Sequence, residues 1–180
     1  MTIHTRRGRY YEEMIPGDIY RHEPGRTITE ADNVLFCSIT LNTQTLHLDA
    51  VKSAETEFGQ RLVNSLLTLS IVCSVGVPDL TQKTTIANLG FQEISFPAPV
   101  FIGDTLYCET EIGPKRPSAS RPGQGIVTLE HRGLNQDGVL VCKAVRSALV
   151  RFVPDAEKPD AEQPDAEQPD AEQPDAEQPA

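Results

Sequence analysis

The stretch NSLLTLSIVCSVGV, residues 64–77, decides the fold of this sequence of 180 residues. Asn64 or Ser65 can cap a helix at its start, because a short polar side chain accepts a hydrogen bond from the free N–H groups of the first turn. Gly76 and Pro78 predict where that helix ends. Its apolar residues lie on nearly all sides, so other parts of the chain must cover it.

Four β-type segments follow the helix and can provide that cover. They are separated by turn signals and span residues 87–101, 104–112, 125–134 and 139–152. The longest connection is a Pro- and Gly-rich loop at 113–125, and the last is Gln136-Asp137-Gly138, which predicts a hairpin turn. A buried helix followed by antiparallel strands predicts an α+β domain in which a curved sheet encloses the helix.

Shorter elements precede this helix. Residues 10–26 are punctuated by Gly and Pro and predict a strand with turns, and Thr29 or Asp32 can cap a short helix after them. Asp49 is a good N-cap for another helix over residues 50–57, which a Phe-Gly pair ends.

The end of the chain differs from the rest. Residues 154–180 repeat the unit PDAEQ and contain ten acidic residues and one base, Lys158, so most of the formal net charge of -10 lies there. A repeat with one proline per period and no apolar residue larger than alanine cannot bury enough surface to become ordered. We therefore predict one domain at residues 1–153 and a disordered acidic tail at 154–180, which either only solvates the protein or binds a partner.

The cysteines and the apolar segments indicate the cellular compartment. The four cysteines are isolated and have no CxxC spacing, which predicts buried thiols of a reducing compartment: Cys37, Cys73, Cys108 and Cys142. The first residues do not resemble a signal peptide, and the longest apolar run is interrupted by polar residues. We therefore expect a soluble, cytoplasmic protein without a membrane partner.

Two further kinds of site are disfavoured. His4, His22 and His131 lie far apart in the sequence without metal-ligand spacing, so we expect no metal site. The chain also lacks interleaved aromatic and basic residues and a Gly-rich phosphate loop, so we expect no nucleic-acid partner.

Three motifs occur in order: NTQTLHLD at residues 42–49, FGQRLVNSLLT at 58–68 and FPAPVFIGDTL at 96–106. Together they resemble the MaoC-like dehydratase family, which includes the (R)-specific enoyl-CoA hydratases. The resemblance extends over about residues 10–152 and implies the hot-dog fold, a curved antiparallel sheet wrapped around a central apolar helix. The residues of the first two motifs are most similar to the branch of the family that includes mesaconyl-CoA hydratases, also called β-methylmalyl-CoA dehydratases.

The sequence departs from the family pattern at several positions. The family's catalytic aspartate falls on Asn42 and the glycine before it on Leu41, whereas His47 and Asp49 fall on matching residues. The His-Gly pair that opens the central helix in the family is replaced here by Asn64-Ser65.

The family's reaction adds water to a 2-enoyl-CoA. It needs a base for the water, a proton for the α-carbon and stabilisation of the enolate oxygen. One histidine can supply the first two, so the resemblance makes His47 the expected acid/base. Asn42 has no proton to exchange in this pH range, but it can hold the water by hydrogen bonds.

Three interpretations of the asparagine stay open. His47 acts alone while Asn42 positions the water; or another carboxylate, Asp49 or one from the substrate, compensates; or the site only binds acyl-CoA. Asp49 can alternatively have a purely structural role as the N-cap of a helix.

The enolate oxygen is expected at the start of the central helix, where backbone N–H groups are unpaired and the helix dipole is positive. By resemblance, the donor is the N–H of Ser65. Asn64 is either the helix cap or an amide that faces the substrate. Basic residues outside this motif are candidates for the CoA phosphates: Lys83, Lys115, Arg116 and Arg121.

The sequence thus predicts a hydro-lyase that interconverts a short 2-enoyl-CoA and a 3-hydroxyacyl-CoA, with a branched or dicarboxylic acyl group. CoA enters as part of the substrate, and no other cofactor is expected. The family pairs single domains, so the resemblance implies a homodimer or a dimer of dimers. The alternatives are a hot-dog thioesterase and a non-catalytic acyl-CoA-binding subunit.

Overall fold

The computed structural model describes residues 8–154. His4 and the predicted acidic tail, apart from Pro154, lie outside the described residues.

Four short helices lie in the first half of the chain. Their bounds are Glu30–Ile39 (α1), Thr45–Leu48 (α2), Ala50–Ala54 (α3) and Ser65–Ser74 (α4), and a single π-helical turn, Val77–Thr81, follows α4. The two residues predicted as alternative caps of α1 act together. The Thr29 hydroxyl accepts from the N–H of Asp32, and the Asp32 carboxylate accepts from the N–H of Thr29.

One antiparallel sheet contains all five predicted strands. They are Ile19–Thr27 (β1), Thr85–Ser95 (β2), Thr105–Pro117 (β3), Gln124–Leu134 (β4) and Leu140–Arg151 (β5), and their order in the sheet is β1-β3-β4-β5-β2. Along β4 every second residue is buried, as expected for a strand with one face on the core. The predicted hairpin turn between β4 and β5 is confirmed, since the N–H of Gly138 donates to the carbonyl of Asn135 at 3.0 Å.

Three boundaries differ from the sequence prediction. The helix expected over 50–57 ends at Ala54, and α4 ends at Ser74, before Gly76. The strand expected over 87–101 ends at Ser95, because the prolines at 97 and 99 have no N–H to donate to a sheet.

The predicted loop at 113–125 is also shorter than expected. β3 continues to Pro117 and pairs with the start of β4, with Lys115 opposite Val127. A register shift between Ile112 and Lys115 allows the strand to pass through its Gly-Pro pair. Lys115 and Arg116 are therefore strand residues, which corrects their placement in a loop.

Helix α4 packs on the face of the sheet that β4 and β5 form. Leu67 and Val72 enter the main core together with residues from the strands. Gly133 on β4 determines how close the helix can lie, because a Cβ at this position would be 2.4 Å from Cγ2 of Val72. The missing side chain thus lets the helix contact the sheet directly.

A Gly133→Ala substitution should lower the free energy of unfolding by about 1–3 kcal/mol, because the new methyl group overpacks the contact with Val72. Urea denaturation of both proteins measures the change. If that contact is the cause, adding Val72→Ala relieves the overlap, and the double variant loses less stability than the two single losses combined. Strictly additive losses would contradict this explanation.

The sheet covers only one side of α4. Leu67, Thr68 and Val72 are buried, whereas Leu66 is 54% exposed. The predicted α+β fold, a curved antiparallel sheet packed on a central helix, is confirmed, and the side of α4 that carries Leu66 remains exposed.

Candidate active site

His47 lies in α2 with its ring half-buried. Its Nδ1 atom is 3.0 Å from the carbonyl oxygen of Leu62. A carbonyl oxygen can only accept a hydrogen bond, so Nδ1 carries the proton in this contact. Nε2 then keeps its lone pair, which is the form of imidazole that acts as a base.

The start of α4 presents a backbone donor. The side-chain oxygen of Asn64 caps the helix by accepting from the N–H of Leu66 at 2.9 Å. No group among residues 8–154 accepts from the N–H of Ser65, the first residue of the helix. This N–H and the helix dipole together make a site for negative charge.

A cavity of about 340 Å³ adjoins both groups. All three sequence motifs contribute to it: His47 comes from the first, Phe58, Ser65 and Thr68 from the second, and residues 96–100 from the third. Backbone bonds hold the second and third motifs together, since the N–H of Val63 donates to the carbonyl of Val100 at 2.9 Å. The cavity is thus mainly apolar, with a few polar groups that converge, as in small-molecule sites.

Thr68 is a cavity residue that the sequence analysis did not single out. Its side chain is buried, and its hydroxyl lies 3.4 Å from the carbonyl of Asn64. It is three residues after Ser65 and therefore on the same side of the helix. That spacing is the signal by which the sequence could have identified it.

Asn42 is not among the residues that line the cavity. Its side-chain oxygen accepts from the N–H of Gln44 at 3.0 Å and so stabilises the turn before α2. Leu41, the residue before it, has φ 55, a conformation that favours glycine. The water-positioning role of Asn42 stays a prediction.

Asp49 and Asn64 both act as helix caps. The Asp49 carboxylate accepts from the N–H of Lys52 at 2.9 Å at the start of α3, as the sequence indicated. Asn64 is 3% exposed, and its amide nitrogen lies 3.9 Å from the sulfur of Cys37. The geometry therefore supports the capping alternative for Asn64 and not the substrate-facing one.

The structure does not bring the basic candidates for the CoA phosphates to this cavity within one chain. Lys115 donates to the carbonyl of Tyr11 at 2.7 Å and packs over the Tyr11 ring. Its strand partner Val127 pairs with Ala148, seven residues along β5 from the cavity residue Val141, or roughly 23 Å away at 3.3 Å per residue. Arg116 and Arg121 lie at the same end of the sheet, and Lys83 lies in the loop before β2.

Two histidines that are far apart in the sequence are joined inside the protein. The Nε of Arg146 donates to Nε2 of His131 at 2.8 Å, so Nδ1 of His131 carries the proton and faces the hydroxyl of Thr110 at 2.8 Å. Thr110 lies 2.9 Å from Nε2 of His22, whose Nδ1 is 3.2 Å from the carboxylate of Asp79. We call these five residues the buried histidine chain.

Burial lowers the pKa of His131 to about 3, and electrostatic interactions with Arg146 and with His22 add to this effect. From the sequence, both histidines are only poor candidates for metal ligands. Their connection depends on contacts between β1, β3, β4 and β5, which no local pattern reports.

The four cysteines are free thiols, as predicted, and three of them are buried. Burial raises the pKa of Cys108 and of Cys142 to about 12, so both thiols stay protonated. Residues 8–154 contain no cluster of three or more His, Cys, Asp or Glu residues that could hold a metal ion. None of the helices in this part of the chain reaches the length and apolar content that crossing a bilayer requires.

The chain is similar to known proteins over the region that contains the three motifs. The family model of the MaoC like domain matches residues 12–133. Mesaconyl-CoA hydratase from Cereibacter sphaeroides is 32% identical over 154 residues, which cover 82% of this chain and 42% of that protein. An (R)-specific enoyl-CoA hydratase from Aeromonas caviae is 33% identical over 110 residues, 61% of this chain and 77% of that protein.

The fold is also similar to that of a solved structure. A Mycobacterium tuberculosis protein described as having a double hotdog fold superposes with a TM-score of 0.75 at 26% identity, over 84% of this chain and 46% of that chain. This chain therefore spans less than half the length of that protein and of the Cereibacter relative.

Proposed function

This chain belongs to the MaoC-like domain family, and from that premise we propose that it reversibly hydrates a short 2-enoyl-CoA to the 3-hydroxyacyl-CoA. The observation that carries the proposal is the convergence of the three motifs on one cavity, where an imidazole base and an unpaired helix N–H lie together. The names of the relatives, which are hydratases, support the same reaction.

In the hydration direction, Nε2 of His47 takes a proton from water, and the water oxygen bonds to C3 of the substrate. The electrons of the C2=C3 bond move onto the thioester oxygen as an enolate. The imidazolium then returns its proton to C2, which restores the thioester. The bond from Nδ1 to Leu62 holds the ring and fixes which nitrogen reacts.

The enolate oxygen accepts from the N–H of Ser65 in this proposal. The donor belongs to the backbone, so a serine in place of the family's glycine keeps it. The hydroxyl of Thr68 and the amide of Asn42 are the two groups that we propose for holding the water. CoA enters as part of the substrate, and the proposal requires no other cofactor.

The acyl group is proposed to be short and branched, with five carbons as the expected length. The similarity to mesaconyl-CoA hydratase supports a branched, dicarboxylic group. The cavity itself is mainly apolar, and none of the residues in the described range 8–154 that line it is Lys or Arg. A free carboxylate in the acyl group would therefore need a cation from outside this lining, so the cavity favours an uncharged branched group.

A Ser65→Pro substitution tests the backbone donor. Proline lacks an N–H but is well tolerated at the first position of a helix, and Asn64 before it already has the extended conformation that a following proline needs. We expect kcat for crotonyl-CoA hydration to fall by about 10²–10³-fold while the fold is kept. The loss of ultraviolet absorbance of the conjugated thioester gives the rate.

Ser65→Gly is the matched control, because it removes the hydroxyl and keeps the N–H. We expect its kcat to stay within about threefold of the wild-type value. Equal losses in the proline and glycine variants would show that the serine hydroxyl matters and the backbone donor does not.

A homodimer formed through β2 is also part of the proposal. β2 is an edge strand that pairs only with β5 in the described sheet, and its side chains Leu89, Phe91 and Ile94 are exposed. A second copy would cover this edge and the exposed side of α4. The double hotdog structure, which contains about twice this length of chain, supports the pairing of two such domains but does not specify the edge.

Charges on this edge should therefore separate the two copies. We expect the double variant Leu89→Glu, Ile94→Glu to have half the wild-type mass by light scattering. Val139→Glu, an equally exposed apolar residue in the β4–β5 turn, should leave the mass unchanged. A dimeric double variant would place the interface elsewhere.

The proposed location is the cytoplasm. The four free thiols support a reducing compartment.

A further inference from the structure

Asn33 is a polar residue of α1 that is 0% exposed, and the hydrogen bonds of its side chain all reach the segments that carry the site. Its Nδ2 donates to the carbonyl of His47 at 3.1 Å and to the carbonyl of Leu62 at 3.4 Å. Its Oδ1 accepts from the N–H of Asn64 at 2.9 Å. One buried amide therefore connects the helix of His47, the segment around Leu62 before α4, and Asn64, the cap of α4.

These bonds also share an atom with the candidate base. The carbonyl of Leu62 accepts both from Nδ2 of Asn33 and from Nδ1 of His47. Any shift of Leu62 would therefore change the position of the imidazole. The N–H of Asn64 precedes the donor of Ser65 by one residue, so the same amide also sets where the enolate site lies.

We propose that Asn33 is a positioning residue for the hydration, which holds the base and the enolate donor at a fixed separation. This inference rests on the proposed function, because it gives Asn33 a role only if His47 and Ser65 act on substrate. Asn33 lies outside the cavity and touches no reacting atom, so it acts through these two residues.

The chemistry of the three bonds requires an amide. Two of the partners are carbonyls that need donors, and the third is an N–H that needs an acceptor. An aspartate offers only acceptors when ionised, and its second oxygen would face the carbonyls of His47 and Leu62. A protonated aspartate regains one donor, so the Asn33→Asp variant should recover function when it takes up a proton.

The pH dependence of kcat in Asn33→Asp therefore distinguishes a positioning role from a purely structural one. Other ionisable groups in the neighbourhood are His47, Cys37 and the Arg61–Glu30 ion pair, all of which are present in the wild-type protein too, so the ratio of variant to wild-type kcat reports the effect of the added carboxyl group. We expect a ratio of about 10⁻² at pH 8, since small displacements of catalytic groups cost about this much. The ratio should rise as pH falls, because a buried carboxylic acid takes up its proton above its usual range.

Asn135→Asp is the matched control. The side chain of Asn135 only accepts, from the N–H groups of Asp137 and Val139, so a carboxylate can replace it without loss of a bond. Its kcat ratio should stay near one at every pH.

Circular dichroism first establishes that each variant is folded over the pH range. If Asn33→Asp does not fold, Asn33→Ser takes its place, with a hydroxyl too short to connect the three segments. For Asn33→Ser we expect kcat to fall by about 10²-fold with KM within threefold. We also expect the nitrogen NMR signals of His47 to change from the Nδ1-protonated form to a mixture of tautomers.

A folded Asn33→Asp variant with a pH-independent ratio near one would overturn the inference, as would an unchanged kcat and tautomer in Asn33→Ser. Failure of the proposed function gives a different result, namely a wild-type protein without hydration that depends on His47. The two failures are thus distinguishable in one set of assays.

Discussion

Replacing His47 with alanine should lower kcat for crotonyl-CoA hydration by about 10²–10⁴-fold, the range typical of a lost general acid/base. His47 is expected to serve twice in each turnover, as base for the water and as acid for C2. Its Nδ1 is bound to Leu62, so Nε2 is the atom available to react. Stopped-flow absorbance of the conjugated thioester measures the loss.

Asp49→Asn is the control for this prediction. Asparagine is as good an N-cap as aspartate, so the variant keeps the start of α3 while removing the carboxylate. Its kcat should equal that of the wild-type protein. A large loss in Asp49→Asn with little loss in His47→Ala would instead make Asp49 the compensating carboxylate.

Acidification should weaken the fold through His131. Its pKa is about 3 in the folded protein against about 6.5 in the unfolded chain, so protons bind the unfolded chain more readily. The contribution of neutral His131 is fully present above pH 6.5 and is lost as pH falls from 6.5 toward 3. At about 1.4 kcal/mol per unit of pKa difference, the loss amounts to several kcal/mol.

His131→Gln separates this effect from the titration of carboxylates. Glutamine can accept from Arg146 and donate to Thr110, but it takes up no proton in this range. Urea denaturation between pH 7 and pH 4 should show a smaller fall in the free energy of unfolding for the variant. Parallel curves for both proteins would mean that the buried histidine chain does not control the acid sensitivity.

Much of the fold was predictable because its signals are local. The apolar stretch of α4, the alternation along β4 and the turn at Gln136 each report their structure within a few residues. The predicted bounds of strands are wrong where other parts of the chain decide how far a strand continues. Strand β3 continues through a Gly-Pro pair because β4 supplies partners for it, and β2 ends early because two prolines follow it.

The site was predictable to a different extent. The motifs identified His47 and Ser65, and the structure brings both to one cavity. The sequence could not show that Asn64 turns its amide to the interior or that Lys115 binds Tyr11 at the far end of the sheet. Asn33 also has no local signal, because its three partners lie 14 to 31 residues away in the chain.

The most direct test of the account is the wild-type protein with crotonyl-CoA and mesaconyl-CoA in parallel, followed by ultraviolet absorbance and by a thiol reagent. The proposed hydration predicts that absorbance of the conjugated thioester falls without release of free CoA. Free thiol at the same rate would show a thioesterase. Unchanged absorbance despite measurable binding of the CoA ester would contradict the proposed hydration and leave a binding subunit.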